Sequence, residues 1–195
     1  VALSYRGRIL FSFVAEDSGA HRSGSPGPMS DTVLAAASMM QITENMGKGY
    51  SIAIMEMEGH EAGRRSASIT MDLRTPIGAQ QEELELMLNE TAAAFGVGLN
   101  VIEYVPPHEV HKSDPVIRAF RTAIRDVTGE PPRVLAKQGT CDFNVLSTWG
   151  CPMGAFGPGD SKYDHSSNEQ IEIKEFLRGI EVVKGALPKV MEAIR

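Results

Sequence analysis

The sequence predicts a mixed α/β chain in two parts. Three observations carry that expectation: a strand, helix, strand, strand, helix, strand rhythm over residues 1–110, a change to alternating helix and strand over residues 111–195, and an ordinary globular composition. Hydrophobic residues make up 42% and charged residues 23% of the 195 positions, enough for one or two domains with a core of reasonable size. A formal net charge of -6 with no basic block argues against nucleic acid or an anionic membrane surface as the main partner. No apolar run approaches the length of a membrane span. The cysteines, Cys141 and Cys151, make no disulfide framework and fit a reducing cytoplasm.

Arg8 to Glu16 alternates as a strand. Val33, Ala36, Ala37 and Met40 recur at helical spacing through Asn45, and Gly47 and Gly49 end the helix. Ser51 to Glu58 reads as a second strand. In the third, Ile69, Met71 and Leu73 alternate with Thr70, Asp72 and Arg74, so one face is apolar and Arg74 leaves on the polar one. Leu84, Met87, Leu88, Thr91 and Phe95 form the stripe of a second helix that Gly96 ends, and Leu99 to Val105 supplies a fourth strand. This βαββαβ order is the ferredoxin-like pattern, with helices on one face of an antiparallel sheet. Beyond it, Asp114 and Pro115 open a helix with the stripe Ile117, Phe120, Ile124 and Val127, closed by Gly129. Val134 to Lys137 and Met153 to Phe156 are candidate strands around a short helical piece at Phe143 to Thr148. A last helix carries Ile173, Phe176, Leu177, Ile180 and Val183, with Pro188 expected to kink it or to start another turn. The methionines of residues 38–46 and 55–57 read as core filler, and Trp149 as a packing residue.

The chemistry concentrates in GPGDSKYDHSSNE, from Gly157 to Glu169. An apolar run, Cys151 to Phe156, ends in the Gly157-Pro158-Gly159 turn, and His165 follows beside Asp164. Groups that do chemistry commonly sit just past such strand ends, and neutral imidazole is the usual zinc ligand. A surface loop whose Asp, Ser and Asn cap the next helix explains the same residues, so spacing alone leaves His165 undecided. HEVH, His108 to His111, puts its histidines at i and i+3 rather than the i and i+4 that a helical zinc motif needs, and reads as a linker. His60 and Glu61 fall in a turn and read as ordinary surface residues.

Four motifs in sequence order carry a resemblance. GAHRSGSPGPMSDTVL from Gly19, the D-x-R strand ITMDLRTP from Ile69, GTCD at Gly139 to Asp142, and GPGD with the following DHSSNE resemble the zinc-dependent deacylases. That M20-type family includes acetyl-lysine deacetylase, acetylornithine deacetylase and succinyl-diaminopimelate desuccinylase, and the likeness covers nearly the whole chain. It implies that 1–110 is a ferredoxin-like dimerisation domain and 111–195 the C-terminal segment of an α/β zinc-hydrolase domain. The family's H-x-D pair, bridging aspartate and Glu-Glu pair would lie upstream. The chain opens at Val1 directly into a strand and is therefore expected to be a C-terminal fragment, inactive alone.

The resemblance also implies roles. His165 would be a metal ligand, for zinc or cobalt, with two ions per site in the complete enzyme. His21 would reach across a homodimer and stabilise the oxyanion formed when water attacks an amide. Arg74, with Gly139, Thr140 and Gly157, would hold the free carboxylate of an N-acyl amino acid. Each has a plainer reading: a solvated loop histidine at His21, a strand-face charge at Arg74, and a turn with Thr140 as helix cap at the GT element, where Asp142 could serve the helix dipole. GHEAGRRSAS, Gly59 to Ser68, departs from the family turn, and Arg64 or Arg65 either replaces its lost polar contact or is solvated. The expected function is hydrolysis of an N-acetyl or carrier-linked lysine or ornithine in cytoplasmic amino-acid biosynthesis. The alternatives are a non-catalytic dimerisation module and an amino-acid-binding regulatory domain.

Overall fold

The computed structural model describes residues 1–19, 21, 24, 26–60 and 63–194. The elements are β1 (Ala2–Tyr5), β2 (Gly7–Asp17), α1 (Pro28–Asn45), β3 (Ser51–His60), β4 (Arg65–Thr75), α2 (Gln81–Ala94), β5 (Gly98–Val105), β6 (His108–Glu109), α3 (Pro115–Thr128), β7 (Leu135–Lys137), α4 (Asp142–Leu146) and α5 (Ile173–Ala193), with short 3₁₀ turns at Ser147–Trp149 and Ser161–Tyr163. The chain divides into two compact units: Arg6–Pro107, and Val1–Tyr5 together with the chain from His108 onward. Among the described residues no helix is long and apolar enough to cross a membrane.

The Arg6–Pro107 unit is a four-stranded antiparallel sheet in the order β3-β4-β2-β5. Strand alternation builds its core. Ile9, Phe11 and Phe13 of β2 lie directly opposite Leu73, Met71 and Ile69 of β4, and all six are fully buried. Ala35, Ala36 and Met39 of α1 and Leu84, Leu88 and Ala92 of α2 cover that face. Thr32 and Thr43, buried in α1, bond back to the carbonyls of Pro28 at 3.0 Å and Met39 at 2.7 Å, so the helix face carries no unsatisfied hydroxyl. At Gly7 a side chain is impossible without movement, since a Cβ would lie 2.5 Å from Thr75 Oγ1 and 2.7 Å from Pro107.

In the other unit β1 is the middle strand of a three-stranded sheet, antiparallel to β6 and parallel to β7. The first residues of the chain therefore pair with segments after His108, and the strand that begins the sequence is two strands, β1 and β2, in different units. Asp114 caps α3, its Oδ1 accepting from the amides of Val116 at 2.8 Å and Ile117 at 3.4 Å, and Gly129 ends the helix in the left-handed region. Helices α3 and α5 pack through small side chains, Ala123 against Val182 and Ala186, with Phe120, Ile124 and Phe156 around them.

Several expectations are corrected. The buried stripe of α1 is Thr32, Ala35, Ala36, Met39 and Thr43, one position from the predicted set, so Val33 and Met40 are exposed. Met55, 58% exposed, and Met57 lie on the edge strand β3 and fill no core. Met153 to Phe156 makes a single bridge, Ala155 with Ala2, rather than a strand, and HEVH contains the strand β6 rather than a plain linker. Residues Ile173, Phe176, Leu177, Ile180 and Val183 of α5 are exposed, because the side that meets α3 is the small-residue one. Trp149 is 73% exposed.

Phe11 meets Phe13 edge to face at 5.3 Å in the centre of the first core. Phe11→Ala is expected to destabilise the Arg6–Pro107 unit by about 3–5 kcal/mol, read as a lower urea midpoint at unchanged slope.

Candidate functional site

In the unit from His108 onward, the GPGD loop is seated from both ends. Phe156, just before it, packs on Phe120 of α3 at 5.3 Å. Pro158 lies so close to Gly179 of α5 that a Cβ on that glycine would come 2.9 Å from its ring. Gly159 turns the chain with φ 89°, and Asp160 caps the following 3₁₀ turn, accepting from the Lys162 amide at 3.2 Å. That amide, and after it the Lys162 ammonium, hold the Asp160 carboxyl below its usual range.

The chain then winds tightly around His165. Ser166 donates from its amide and from its hydroxyl to the Tyr163 carbonyl, at 3.1 and 2.8 Å, and Glu169 Oε2 accepts from the His165 amide at 3.0 Å. His165 has φ 62°, the one non-glycine residue in the left-handed region among the described residues, and its side chain is exposed. A left-handed backbone at a non-glycine residue persists where the surrounding bonds hold it. Beside this turn lies a cavity of about 610 Å³ lined by Gly157, Asp164 and Glu169 together with Tyr5, Lys137 and Asp160. Lys137 reaches Asp164 at 4.0 Å.

The GTCD element begins α4 in a way the Thr140-cap reading misses. Cys141 is the capping residue: its side chain accepts from the Asn144 amide, and the Asn144 Oδ1 accepts from the Cys141 amide at 3.1 Å. Asn144 is fully buried and also donates to the Tyr5 carbonyl at 3.5 Å, tying α4 to β1. Burial, and then the Cys141 thiol beside it, push the Tyr5 phenol up to about 12. Gly139 is exposed and Thr140 half-buried just upstream of this cap, with Asp142 in the first turn of α4. Asn144 was open to the sequence through its i, i+3 spacing from Cys141, a reciprocal capping pattern, whereas Tyr5, far off in sequence, left no local signal.

The remaining candidates belong to the Arg6–Pro107 unit. Arg74 lies on the sheet face opposite the helices, where its guanidinium donates to Asp72 Oδ2 at 2.9 Å. The same oxygen accepts from Arg8 Nε at 3.2 Å, and Arg8 also donates to Glu103 at 2.9 Å. Asp72, with its side chain only 7% exposed, thus holds two arginines that face each other across β2 and β4. His21 is exposed beyond the end of β2, and its carbonyl accepts from the Gly24 amide at 2.9 Å. His60 ends β3, while Glu61 lies outside the described residues. Of the two neighbouring arginines, Arg64 pairs with Glu16 at the surface at 2.5 Å. Arg65 is buried against Asp17, whose carboxyl it holds below its usual range, first by hydrogen bonding.

As a metal site the arrangement is partial. Among the described residues no three of His, Cys, Asp and Glu come together around one point. A catalytic zinc takes three protein ligands, so the single imidazole of His165 suits one of them and no more.

A family model for peptidase family M20/M25/M40 matches residues 3–189. The chain belongs to that family. A putative [LysW]-lysine/[LysW]-ornithine hydrolase of Pyrococcus abyssi is 29% identical over 192 residues, 97% of this chain and 52% of the relative. The [LysW]-lysine hydrolase of Deinococcus radiodurans is 26% identical, with 98% of this chain and 56% of the relative covered. The chain therefore spans about half the length of these relatives. Among solved structures, an M20 family metallo-carboxypeptidase from Sulfolobus solfataricus matches with a TM-score of 0.76 at 15% identity, covering 99% of this chain and 60% of that one. The di-peptidase Dug1p from Saccharomyces cerevisiae matches at 0.69 and 14% identity, over 98% and 56%. At such identities the likeness is one of fold: two sheets and five α-helices in a mixed α/β arrangement.

Two outcomes follow for this M20 chain. His165→Val is expected to cost about 1–3 kcal/mol in urea unfolding, because a β-branched residue resists the left-handed backbone, whereas His165→Gly is expected to be neutral or stabilising. Phenolate absorbance across alkaline pH should show one group titrating near about 12 that Tyr5→Phe removes. Since the folded phenol keeps its proton above its unfolded value of about 10, the stability it contributes is intact below that pH and is lost as pH rises through the folded value.

Proposed function

We propose that this chain is the dimer-forming and site-closing part of a metal-dependent amide hydrolase. It would release lysine or ornithine from an N-acyl group, acetyl or carrier-linked, in cytoplasmic amino-acid biosynthesis. The observation that carries the reading is the GPGD loop, clamped between Phe120 and Gly179 and followed by His165 on a strained backbone, a construction that fits presenting one imidazole to a metal. Relatives named for [LysW]-linked lysine and ornithine align with almost the whole chain and support the substrate class. The metal, zinc or cobalt and two ions in the complete site, would supply activated water to the amide carbonyl. The remaining ligands would come from sequence outside this chain. Free thiols at Cys141 and Cys151 agree with a reducing compartment.

This chain's own residues divide the other tasks. Arg74, oriented by Asp72, would anchor the substrate carboxylate through its planar fork. Gly139, Thr140 and Gly157, in the unit from His108 onward, are proposed as further substrate-binding residues by their family motifs. His21 would donate a hydrogen bond to the oxyanion. The register supports delivery of His21 to a second copy. Arg74 and Arg65 are nine residues apart on β4, roughly 30 Å at strand rise, and His21 lies beyond the Arg65 end. One copy's His21 and Arg74 thus stand toward opposite ends of one sheet. The strand order β3-β4-β2-β5 supports the ferredoxin-like reading. The edge strand β3, with Ile54, Met55 and Met57 exposed, and α1, with Val33, Leu34 and Met40 exposed, offer apolar surface for a homodimer.

The test uses the native-length polypeptide. His165→Ala is expected to lower metal content per subunit, read by elemental analysis, and to abolish turnover. His21→Ala is expected to reduce kcat by about 100- to 1000-fold with little change in KM. Co-assembled His21→Ala and Arg74→Ala subunits should recover activity that neither has alone. Unchanged metal in His165→Ala removes it from the site, and absence of recovery removes the cross-dimer role.

A further inference from the structure

One ion pair, between the buried Arg65 and the partly exposed Asp17, touches the chain on both sides of His21. Arg65 opens β4 directly opposite Asp17, the last residue of β2. Its side chain is 4% exposed, and its fork meets the carboxylate along two bonds, Nε to Oδ1 at 2.9 Å and Nη2 to Oδ2. Asp17 Oδ1 also accepts the Gly19 amide at 2.8 Å, so the pair fixes the chain two residues before His21. On the other side, Gly27 passes so close that a Cβ would sit 2.7 Å from Arg65 Nη1 and 2.9 Å from Cζ, and its φ of 86° suits glycine. Gly27 is the capping position of α1. The hairpin between β3 and β4 adds a contact, since a Cβ at Gly19 would meet the Gly63 carbonyl at 2.6 Å.

We propose that Arg65 is a positioning residue for His21, its buried guanidinium serving as the platform against which the chain before and after that histidine is registered. The inference rests on the reading of His21 as an oxyanion donor. A donor as exposed as His21 works only if its place is fixed closely, because an error of about 1 Å can cost about 100-fold in rate. An ion pair whose carboxylate is partly exposed is weak evidence for stability as such. The planar fork is what the task requires: it can bond both Asp17 oxygens while presenting an edge to Gly27, which a lysine ammonium cannot reproduce. Arg64 is the internal control. It has the same charge one residue earlier, but it pairs with Glu16 at the surface with its side chain 72% exposed.

The experiment compares Arg65→Lys, Arg64→Lys and His21→Ala in the native-length enzyme, with the double variant of Arg65→Lys and His21→Ala. Arg65→Lys is expected to lower kcat by about 100-fold at unchanged KM, and to add nothing to His21→Ala, because both remove one function. Arg64→Lys should match wild type. A loss from Arg65→Lys that multiplies with that of His21→Ala would mean a separate structural role and overturn the proposal, as would an unaffected Arg65→Lys beside a slow His21→Ala, which leaves the reading of His21 standing. If His21→Ala is itself fully active, that reading fails. Positioning is then judged by the His21 ring proton resonances, which must move in Arg65→Lys and not in Arg64→Lys. Should Arg65→Lys not fold, Gly27→Ala presses on the same guanidinium from the other side while leaving both charged side chains in the sequence, and the same comparisons decide.

Discussion

The pairing of β2 with β4 in a single register, from Gly7 opposite Thr75 to Asp17 opposite Arg65, is the constraint on which the Arg6–Pro107 unit depends. Because side chains alternate, this one alignment sends Ile9, Phe11, Phe13, Ile69, Met71 and Leu73 to the helices, and Arg8, Asp72 and Arg74 to the opposite face. It also closes the strand pair with Asp17 against Arg65. A slip by one residue would bury the arginines and expose the phenylalanines, so the apolar core enforces the placement of the charged groups. Stability and candidate chemistry share one specification here.

The second unit solves a different problem, holding a loop of little regular structure in place. Its device is close approach. Small residues let α3 and α5 pack tightly, and Gly179 leaves room for Pro158 to rest on the helix. Phe156 fills the space beside it. The strained turn at His165 is then sustained by bonds within its own neighbourhood, from Glu169 and Tyr163.

The sequence was most readable where a pattern had one physical cause. Alternation at Ile69 to Leu73 and the stripe of Leu84, Leu88 and Thr91 report a single buried face, and both agree with the structure. Asp114 and Gly129 bracket α3 as caps. Patterns with two causes misled. In α5 the large residues mark an exposed side while Gly179, Val182 and Ala186 mark the packed one, and hydrophobicity ranks them the wrong way round. Met55 and Met57 are apolar yet exposed on an edge strand, where apolarity did not report burial. Within the candidate site, Gly157 and His165 stood out through turn chemistry and family motifs. Arg65 did not, because nothing local separates it from Arg64; only the partner opposite, a long way off in sequence, makes one buried and leaves the other in water.

The central position of β1 bears on how the chain assembles. Its partners β6 and β7 lie beyond the whole of the Arg6–Pro107 unit, so the outer sheet must wait for distant sequence, whereas the inner unit is contiguous and can fold as soon as it is synthesised. Gly7 and Pro107, near the inner unit's two ends, are in close contact. Once that unit has formed, the loop between Tyr5 and His108 is already closed, and the entropy of bringing these paired residues together has been spent in advance. The inserted unit thereby acts as a folding clamp for the strands that flank it.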